Sequence, residues 1–568
     1  MKRYILAVII GAAVTVIISC SGTEQAQKQQ TKPIINTDSL LSYQDNISTR
    51  YMRRHLSAFS ADSMKGRDTG TPAEDKAARY LAHQYRKLGL QPVGDNNSYF
   101  QHFDLNATKT DSIVYKLFAT SDEQKLVDYS TASKNSSAHF IRQFGGTDSL
   151  QGKIVFAGFG VDDSKNDIQN LQGVTLKDKW VMVFGNIPHI VEGDTLIDPT
   201  IDARARFQSI MDRGAEGILL IPEKSSDFSK VARQQQSNFG KLSDLKLAYR
   251  DDGSGSSGGF SKGYNIIKPA LAAQLLDIES KSALEDYRQQ LIDNIASFQP
   301  DQLNYKLSHV PYTAKEKVTS KNVLAFYEGA DPKLKDEVVV MTSHYDHLGI
   351  GQPDSTGDRI YNGADDDGSG TIGILNVARA FANAGDNGVK PKRSILFLHV
   401  SGEEKGLLGS RYYSDHPVFP MEKTVADINT DMIGRIDKKH KKQGTEEYSY
   451  IIGGDIISSQ LDSLINAGNK KSGQITLSDR YNDLQDPNQF YRRSDHWHFG
   501  RKGVPFVFFF SGVHEDYHRP SDEVHKIRFD KMSKIVRTMY GSAVMIANTE
   551  NPPAVDNQAF IEKTKGDN

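Results

Sequence analysis

The sequence predicts an α/β fold: a mostly parallel mixed sheet flanked by helices, with a mainly β segment inserted ahead of its larger part. Three observations lead there. From Lys321 onward, short apolar runs alternate with loops and helix-periodic stretches, the pattern of a sheet covered on both faces. Between about Thr110 and about Pro300 the texture changes to short strands separated by glycine turns. Finally, 568 residues with 38% apolar and 25% charged side chains make a globular chain too long for one ordinary domain. The balance of 69 basic against 71 acidic side chains gives no electrostatic case for nucleic acid or for a polybasic membrane surface. A small molecule or a peptide is the expected partner.

Taken in order, residues 1–20 read as a targeting segment: Met1-Lys2-Arg3, an apolar run from Tyr4 to Ile18, then Ser19-Cys20. The order resembles a bacterial lipoprotein signal peptide. Ile17-Ile18-Ser19-Cys20 fits a lipobox, with Cys20 as the lipidated first residue after cleavage. The alternative is a single spanning anchor, for which the apolar run is short. Either way the expected location is the cell envelope, with the body exported and tethered to the membrane. Cys20 is the only cysteine, so any metal site in the body is built from His, Asp and Glu. Residues 21–45 are polar and read as a flexible tether.

Residues 46–110 form the N-terminal part of the larger domain. Residues 51–59 have the spacing of a short amphipathic helix, and 64–71 read as a turn because of their glycines. Pro72 opens a second helix in which Ala77, Leu81, Tyr85 and Leu88 recur at helical spacing until Gly89 stops it. This piece lacks a core of its own and is expected to pack on the later domain. Residues 111–300 hold strands at 152–157, 179–184 and 218–221 and a helix at 206–213. Their order, with Leu150-Gln151-Gly152-Lys153-Ile154-Val155 and Gly214-Ala215-Glu216-Gly217-Ile218-Leu219-Leu220-Ile221, resembles the protease-associated domain inserted in several exported peptidases. Residues 250–259 read as a flexible loop.

Residues 301–550 carry candidate strands at 322–327, 337–342, 394–400, 424–429, 448–452 and 505–510, and 551–568 are a tail. In such sheets the ligand site lies beyond the carboxyl ends of the strands. Here those ends carry His344-Tyr345-Asp346-His347, Asn362-Gly363-Ala364-Asp365-Asp366-Asp367-Gly368-Ser369-Gly370 and Ser401-Gly402-Glu403-Glu404. Asp-Asp-Gly-Ser-Gly also occurs at Asp251 to Gly255, but only the copy at Asp366 follows a strand-end histidine and opens a helix-periodic run, Ile372, Leu375, Ala378, Ala380 and Phe381. A two-metal hydrolytic site needs N and O ligands from separate elements, with one group shared between ions about 3.5–4 Å apart. The sequence offers His344, Asp366, Glu404, Asp431 and His518. Spacing alone chooses neither among Asp365, Asp366 and Asp367 nor between His514 and His518. Taken singly, each segment has a plainer reading: a polar loop, a helix N-cap, or first-turn acids facing a helix dipole.

Together with Asp431-Met432-Ile433-Gly434 and Tyr517-His518, these segments resemble, in order and spacing, the M28 family of co-catalytic zinc peptidases, mainly aminopeptidases. The resemblance covers residues 321–547 and the N-terminal piece. It implies the zinc-dependent exopeptidase fold, peptide substrates and two Zn2+ ions. Position by position it makes Asp366 the bridging carboxylate, His344 and Asp431 ligands of one zinc, and Glu404 and His518 ligands of the other. Glu403 becomes the general base, Asp346 the carboxylate that fixes the His344 tautomer, and Tyr517 a donor to the developing oxyanion.

Other classes fit less well. No Gly-x-Ser-x-Gly elbow stands between a strand and a helix, and no phosphate loop follows a strand. His347, His399, His496, His498, His514 and His525 read individually as core, surface or supporting residues, with Ser494-Asp495-His496 assigned to packing and hydrogen bonding near the site. Relatives on this fold include carboxypeptidases and glutaminyl cyclases. Arg492, Arg493 and Arg501 keep the first open, while the presence of both His344 and Asp431 argues against a one-zinc cyclase. A non-catalytic receptor-like homologue would be expected to have lost ligands or the base, and all of them are present.

Overall fold

The computed structural model describes residues 33–565, apart from 122–123, 132–137, 145–146, 192, 225–227, 230, 233–241 and 251–261. The signal-like segment with Cys20 and nearly all of the loop at 250–259 lie outside the described residues. Among those described, no helix is long and apolar enough to cross a membrane.

Four strands, Val338–His344, Ser394–Val400, Thr424–Thr430 and Phe506–Phe510, form the centre of the sheet, and every residue in them is buried. They run parallel to one another, so their carboxyl ends open on one edge. Near-continuous apolar runs are what a strand covered on both faces requires. Val339, Met341, Ile395 and Phe397 pack with the helices Thr49–Phe59, Pro72–Lys87, Gly368–Asp386 and Phe529–Asn548. Their neighbours Val338, Val340, Leu396 and Leu398 face the opposite way, against Tyr413 and Phe499. The sheet is mixed because Tyr448–Gly453 and Asp301–Tyr327 join antiparallel on either side of this centre.

The N-terminal piece packs on the larger domain. Ser48 caps the helix Thr49–Phe59 by accepting from Tyr51 N, and Met52, Leu56 and Phe59 enter the same core as Phe381 and Tyr540. The helix Pro72–Lys87 ends as expected: Gly89 takes φ +70°, the left-handed conformation that glycine adopts without steric cost.

Two strands are much longer than the sequence pattern suggests. Asp301–Tyr327 spans 27 residues and pairs antiparallel with the 20-residue strand Phe100–Ala119 along nearly its whole length. The ribbon leaves the larger domain, and its far end pairs with Leu150–Phe156. From there Lys179–Phe184, Gly217–Ile221 and Gly263–Ile267 follow in parallel. This second layer has its own core around Tyr115, Ile154, Phe156, Trp180, Met182 and Leu219. A border placed between residues 110 and 111 therefore falls inside a continuous strand, because both layers share the ribbon.

Burial holds several histidines neutral. It pulls His55 down to about 4 and His309, His399, His496 and His498 down to about 3. The unfolded chain, whose histidines titrate near 6.5, then binds more protons than the folded one below that pH, so stability falls as pH drops from about 6.5 toward the folded values. Each of the four histidines held near 3, His309, His399, His496 and His498, should cost about 1.4 kcal/mol between pH 7.5 and 5.5. His309 is 1% exposed, and among the described residues neither of its ring nitrogens has a hydrogen-bond partner. Replacing it by leucine should remove its share of the acid sensitivity, read as a smaller difference between urea-unfolding free energies at the two pH values.

Candidate metal centre

The parallel strands deliver their chemistry to one edge. His344 ends Val338–His344, Glu403 and Glu404 follow Ser394–Val400, Asp431 follows Thr424–Thr430, and Asp366 stands just before the helix Gly368–Asp386. His518 arrives from the loop after Phe506–Phe510.

The ambiguity among three successive aspartates is resolved by where each carboxylate points. Asp367 Oδ1 accepts from Gly370 N at 2.9 Å, as an N-cap, and from Met432 N at 3.2 Å. A Cβ at Gly370 would lie 2.4 Å from that oxygen, so the cap needs glycine there. Asp365 Oδ1 accepts from Gly434 N at 2.6 Å, and its Oδ2 stands 3.2 Å from His514 Nε2. Asp366 alone faces the other candidates. The same contacts separate the two late histidines, since His514 belongs to Asp365 while His518 meets Asp366 and Glu404.

Around Asp366 two groups form. His344 Nε2 lies 3.3 Å from Asp366 Oδ1 and 3.6 Å from Asp431 Oδ1. His518 Nε2 lies 3.3 Å from Asp366 Oδ2 and 3.2 Å from Glu404 Oε2. Tetrahedral ligands held about 2.1 Å from one ion are about 3.4 Å apart, so these separations suit atoms sharing a cation. Among the described residues, His344 Nε2, Asp366 Oδ2, Glu404 Oε1 and Asp431 Oδ1 are also buried without a hydrogen-bond partner. Unpaired polar atoms of both kinds converging in one place fit a metal ion, and His344, Asp366 and Asp431 lie close enough to hold one. His347, another member of this constellation, sits differently: its Nδ1 is 2.7 Å from Glu404 Oε1 but 3.9 Å from Asp366 Oδ2. Among the described residues both of these atoms, His347 Nδ1 and Glu404 Oε1, are buried without a hydrogen-bond partner, and His347, Asp366 and Glu404 also lie close enough to hold an ion.

Charge inside the site is strongly redistributed. Burial pushes the Asp366 carboxyl up, but His347, His344 and His518 together hold it well below the usual carboxylate range. For Glu404, burial and Asp366 push up while His347 and His518 bring it down to about 2. Glu403 goes the other way: burial first, then Glu404, Asp431 and Asp495, raise it well above the usual range against His344. Asp495 is itself raised to about 7 by burial and by Asp346 and Asp431.

Asp346 supports His344 less directly than a carboxylate partner would. The ring Nδ1 is 3.2 Å from the Asp346 backbone carbonyl and 3.7 Å from its carboxylate. Tyr517 stacks on His518 with centroids 3.8 Å apart. A pocket of about 50 Å³ joins Glu403, Asp431 and Tyr517 to an apolar wall of Met432, Phe490, Phe508, Phe510 and Val513, with Arg493 at its edge. Of the other arginines singled out, Arg492 bonds Gln489 and Arg501 is buried away from this pocket. Ser494 donates to Asp431 Oδ2 at 3.3 Å and accepts from Asn429 Nδ2, which also bonds His496 Nδ1.

Several residues around the centre carried no sequence signal. Asp522 Oδ2 accepts from the backbone N–H groups of Asp365 and Asp366 at 2.9 and 3.2 Å. Arg67 and Thr69, in what reads as a glycine-marked turn, reach the same loops. His347, one of the histidines read from the sequence as core, surface or supporting residues, stands within the centre beside Asp366 and Glu404, three residues after His344 on one strand-end loop.

Comparison with known proteins gives a consistent pattern. Residues 322–543 match the model of peptidase family M28. Leucine aminopeptidase 2 of Arthroderma otae is 29% identical over 199 residues, covering 35% of this chain and 35% of that protein. Leupeptin-inactivating enzyme 1 of Streptomyces exfoliatus is 28% identical over 213 residues, or 37% of this chain and 39% of that one. The chain thus spans little more than a third of the length of the curated relatives it matches. Among solved structures, an aminopeptidase from Aneurinibacillus sp. strain AM-1 aligns over 92% of this chain and 98% of its own, with a TM-score of 0.53 and 17% identity. A zinc aminopeptidase from Bacillus subtilis aligns over 90% and 98%, with a TM-score of 0.50 and 17% identity. Both share the fold.

The role of Asp522 can be tested apart from any metal. Asp522→Ala leaves two buried N–H groups without an acceptor, which should destabilise the metal-free protein by about 2–4 kcal/mol in chemical denaturation.

Proposed function

We propose, for a chain whose residues 322–543 belong to peptidase family M28, an exopeptidase that holds two zinc ions and removes N-terminal residues from peptides. One observation carries the reading: Asp366 presents one carboxylate oxygen to His344, beside Asp431, and the other to His518, beside Glu404, at separations of 3.2–3.6 Å. His344, Asp366 and Asp431 would hold one ion, and Asp366, Glu404 and His518 the other. When bound, the pair supplies Lewis acidity, acidifying water and polarising the peptide carbonyl.

The rest of the chemistry belongs to the chain. Glu403 adjoins Glu404 in sequence but lies outside both ligand groups, and it accepts the proton of the attacking water and passes it to the leaving amine. Its raised affinity for a proton, caused by burial and the neighbouring acids, suits a group that must carry one briefly. Tyr517, beside His518, donates to the developing oxyanion. The carboxylates of Glu403 and Asp431 favour a free α-amino group, and the pocket beside them, with its Phe490, Phe508, Phe510 and Met432 wall, takes a compact apolar side chain. The segment ending at Cys20 supports an exported, lipid-anchored protein of the cell envelope.

A second reading rests on Arg493, which lines the pocket, lies over the Phe490 ring at 5.1 Å and forms no ion pair among the described residues. Such a cation suits the terminal carboxylate of a carboxypeptidase substrate.

The purified exported body, assayed on amino-acid 4-nitroanilides with free and with acetylated amines, should cleave only the free-amine forms and lose activity with chelator. Glu403→Gln should keep its zinc and lose about 10²–10⁴-fold in kcat. Asp366→Ala should bring zinc content from two ions per chain to one or none. Zinc uptake together with release of C-terminal residues would favour the Arg493 reading, and a wild-type chain without zinc would end both.

A further inference from the structure

The turn at residues 64–71 reads from its sequence as a simple connection, yet it is tightly bound into the metal centre. Lys65, Gly66 and Arg67 all take left-handed backbone, with φ of 50°, 66° and 51°. Residues with side chains rarely adopt that conformation, and they keep it where the surroundings over-determine it. Here it sends the Arg67 side chain inward, where it is 0% exposed. Arg67 Nε donates to Tyr345 O at 2.8 Å, Nη1 to Asn362 O at 2.7 Å, and Nη2 to Gly363 O at 2.9 Å.

Those carbonyls are not scattered. Tyr345 directly follows His344, and Asn362 and Gly363 lead into Asp366. One planar guanidinium therefore fastens a ligand of the first group to the loop of the shared carboxylate. Lysine, a point charge on a flexible stem, cannot make that fork. The backbone repeats the connection, with Arg67 O accepting from His347 N at 3.3 Å and Gly66 O from Gly349 N at 3.0 Å.

Thr69 acts two residues further on. Its Oγ1 donates to Asp346 Oδ2 at 2.8 Å. The other oxygen of that carboxylate accepts from Glu403 N at 3.3 Å and lies 3.7 Å from His344 Nδ1. Asp68 Oδ1, between them, pairs at 2.9 Å with Lys405, the residue after Glu404. Three consecutive side chains of the N-terminal piece thus reach three of the five ligand-bearing segments, those of His344, Asp366 and Glu404.

We infer that Arg67 and Thr69 are positioning residues of the metal centre, so that the N-terminal arm sets the geometry of a site whose ligands all lie from His344 onward. The inference rests on the reading of that site as a zinc centre. Neither residue touches a ligand atom directly. Arg67 acts through the backbones of Tyr345, Asn362 and Gly363, and Thr69 through Asp346.

The test uses the full chain with Thr69→Val, which keeps the shape and removes the hydroxyl, Thr69→Ser, which restores it, and Arg67→Lys. Four quantities are measured: the zinc dissociation constant by competition with a chromophoric chelator, the melting temperature of the metal-free protein, and kcat and KM for the best nitroanilide. Thr69→Val should weaken zinc binding about 10–100-fold and lower kcat with little change in KM or metal-free melting. Thr69→Ser should behave as wild type, and Arg67→Lys should lose at least as much zinc affinity as Thr69→Val. Unchanged zinc affinity and kcat in Thr69→Val, with zinc present in the wild type, would overturn this inference alone. So would a fall in metal-free melting without any change in affinity. A wild-type chain that takes up no zinc would remove the proposed function, and this inference with it.

Discussion

Like charges buried together repel, and the centre of this molecule is arranged around that constraint. Asp346, Asp365, Asp366 and Asp367 are buried, and the side chains of Glu404 and Asp431 are only 5% and 13% exposed. A carboxylate taken out of water must find donors or a cation. Asp367 finds the first turn of a helix and Met432 N, Asp365 finds Gly434 N and His514, and Asp346 finds Thr69 and Glu403 N. Asp366, Glu404 and Asp431 are left facing His344 and His518 at 3.2–3.6 Å, too long for good hydrogen bonds. One oxygen each of Asp365 and Asp367 is also without a partner among the described residues, but these acids take backbone N–H donors, whereas Asp366, Glu404 and Asp431 converge on histidines, and that convergence is the physical basis for reading a metal centre.

The sheet makes the division possible. Parallel strands end on a common edge, so loops far apart in sequence meet there, and the helix Gly368–Asp386 turns its N-terminus toward the acids, where its dipole favours negative charge. The second layer is joined to this edge by backbone pairing rather than by a linker, because Asp301–Tyr327 and Phe100–Ala119 run from one layer into the other. Hydrogen bonds between strands fix its orientation far more tightly than a connection of flexible residues could.

Much of this was legible in the sequence, and the exceptions have physical causes. Val338–His344 and Ser394–Val400 announce themselves by their apolar stretches, Val338 to Met341 and Ile395 to Leu398, because both of their faces are covered. The ribbon does not: Asp301–Tyr327 is buried continuously only near its C-terminal end, so only residues from 322 onward carry the strand signal. The five candidate ligands stand out by order and position, but the choice among Asp365, Asp366 and Asp367 is a matter of side-chain direction, which spacing does not encode. Arg67 and Thr69 were invisible for a different reason. Arginine beside glycines in a short polar stretch is ordinarily a solvated turn residue, and nothing local tells that its side chain points into the protein.

The distance in sequence between that turn and the ligands raises the question of how the fold tolerates so long an interruption. The answer lies in the ribbon. Ala119 pairs with Tyr305, so the chain leaves for the second layer and returns from it at adjacent positions. Loop-closure entropy grows only slowly with length, and here the closure is made by strand pairing that exists whatever lies beyond it. The N-terminal helices are held independently, since Leu56, Phe59, Leu81 and Tyr85 share one core with Ile372, Phe381 and Phe397. Arg67 and Thr69 are therefore registered against the sheet edge by the packing of their own helices, and the size of the intervening layer has no lever on where their side chains fall.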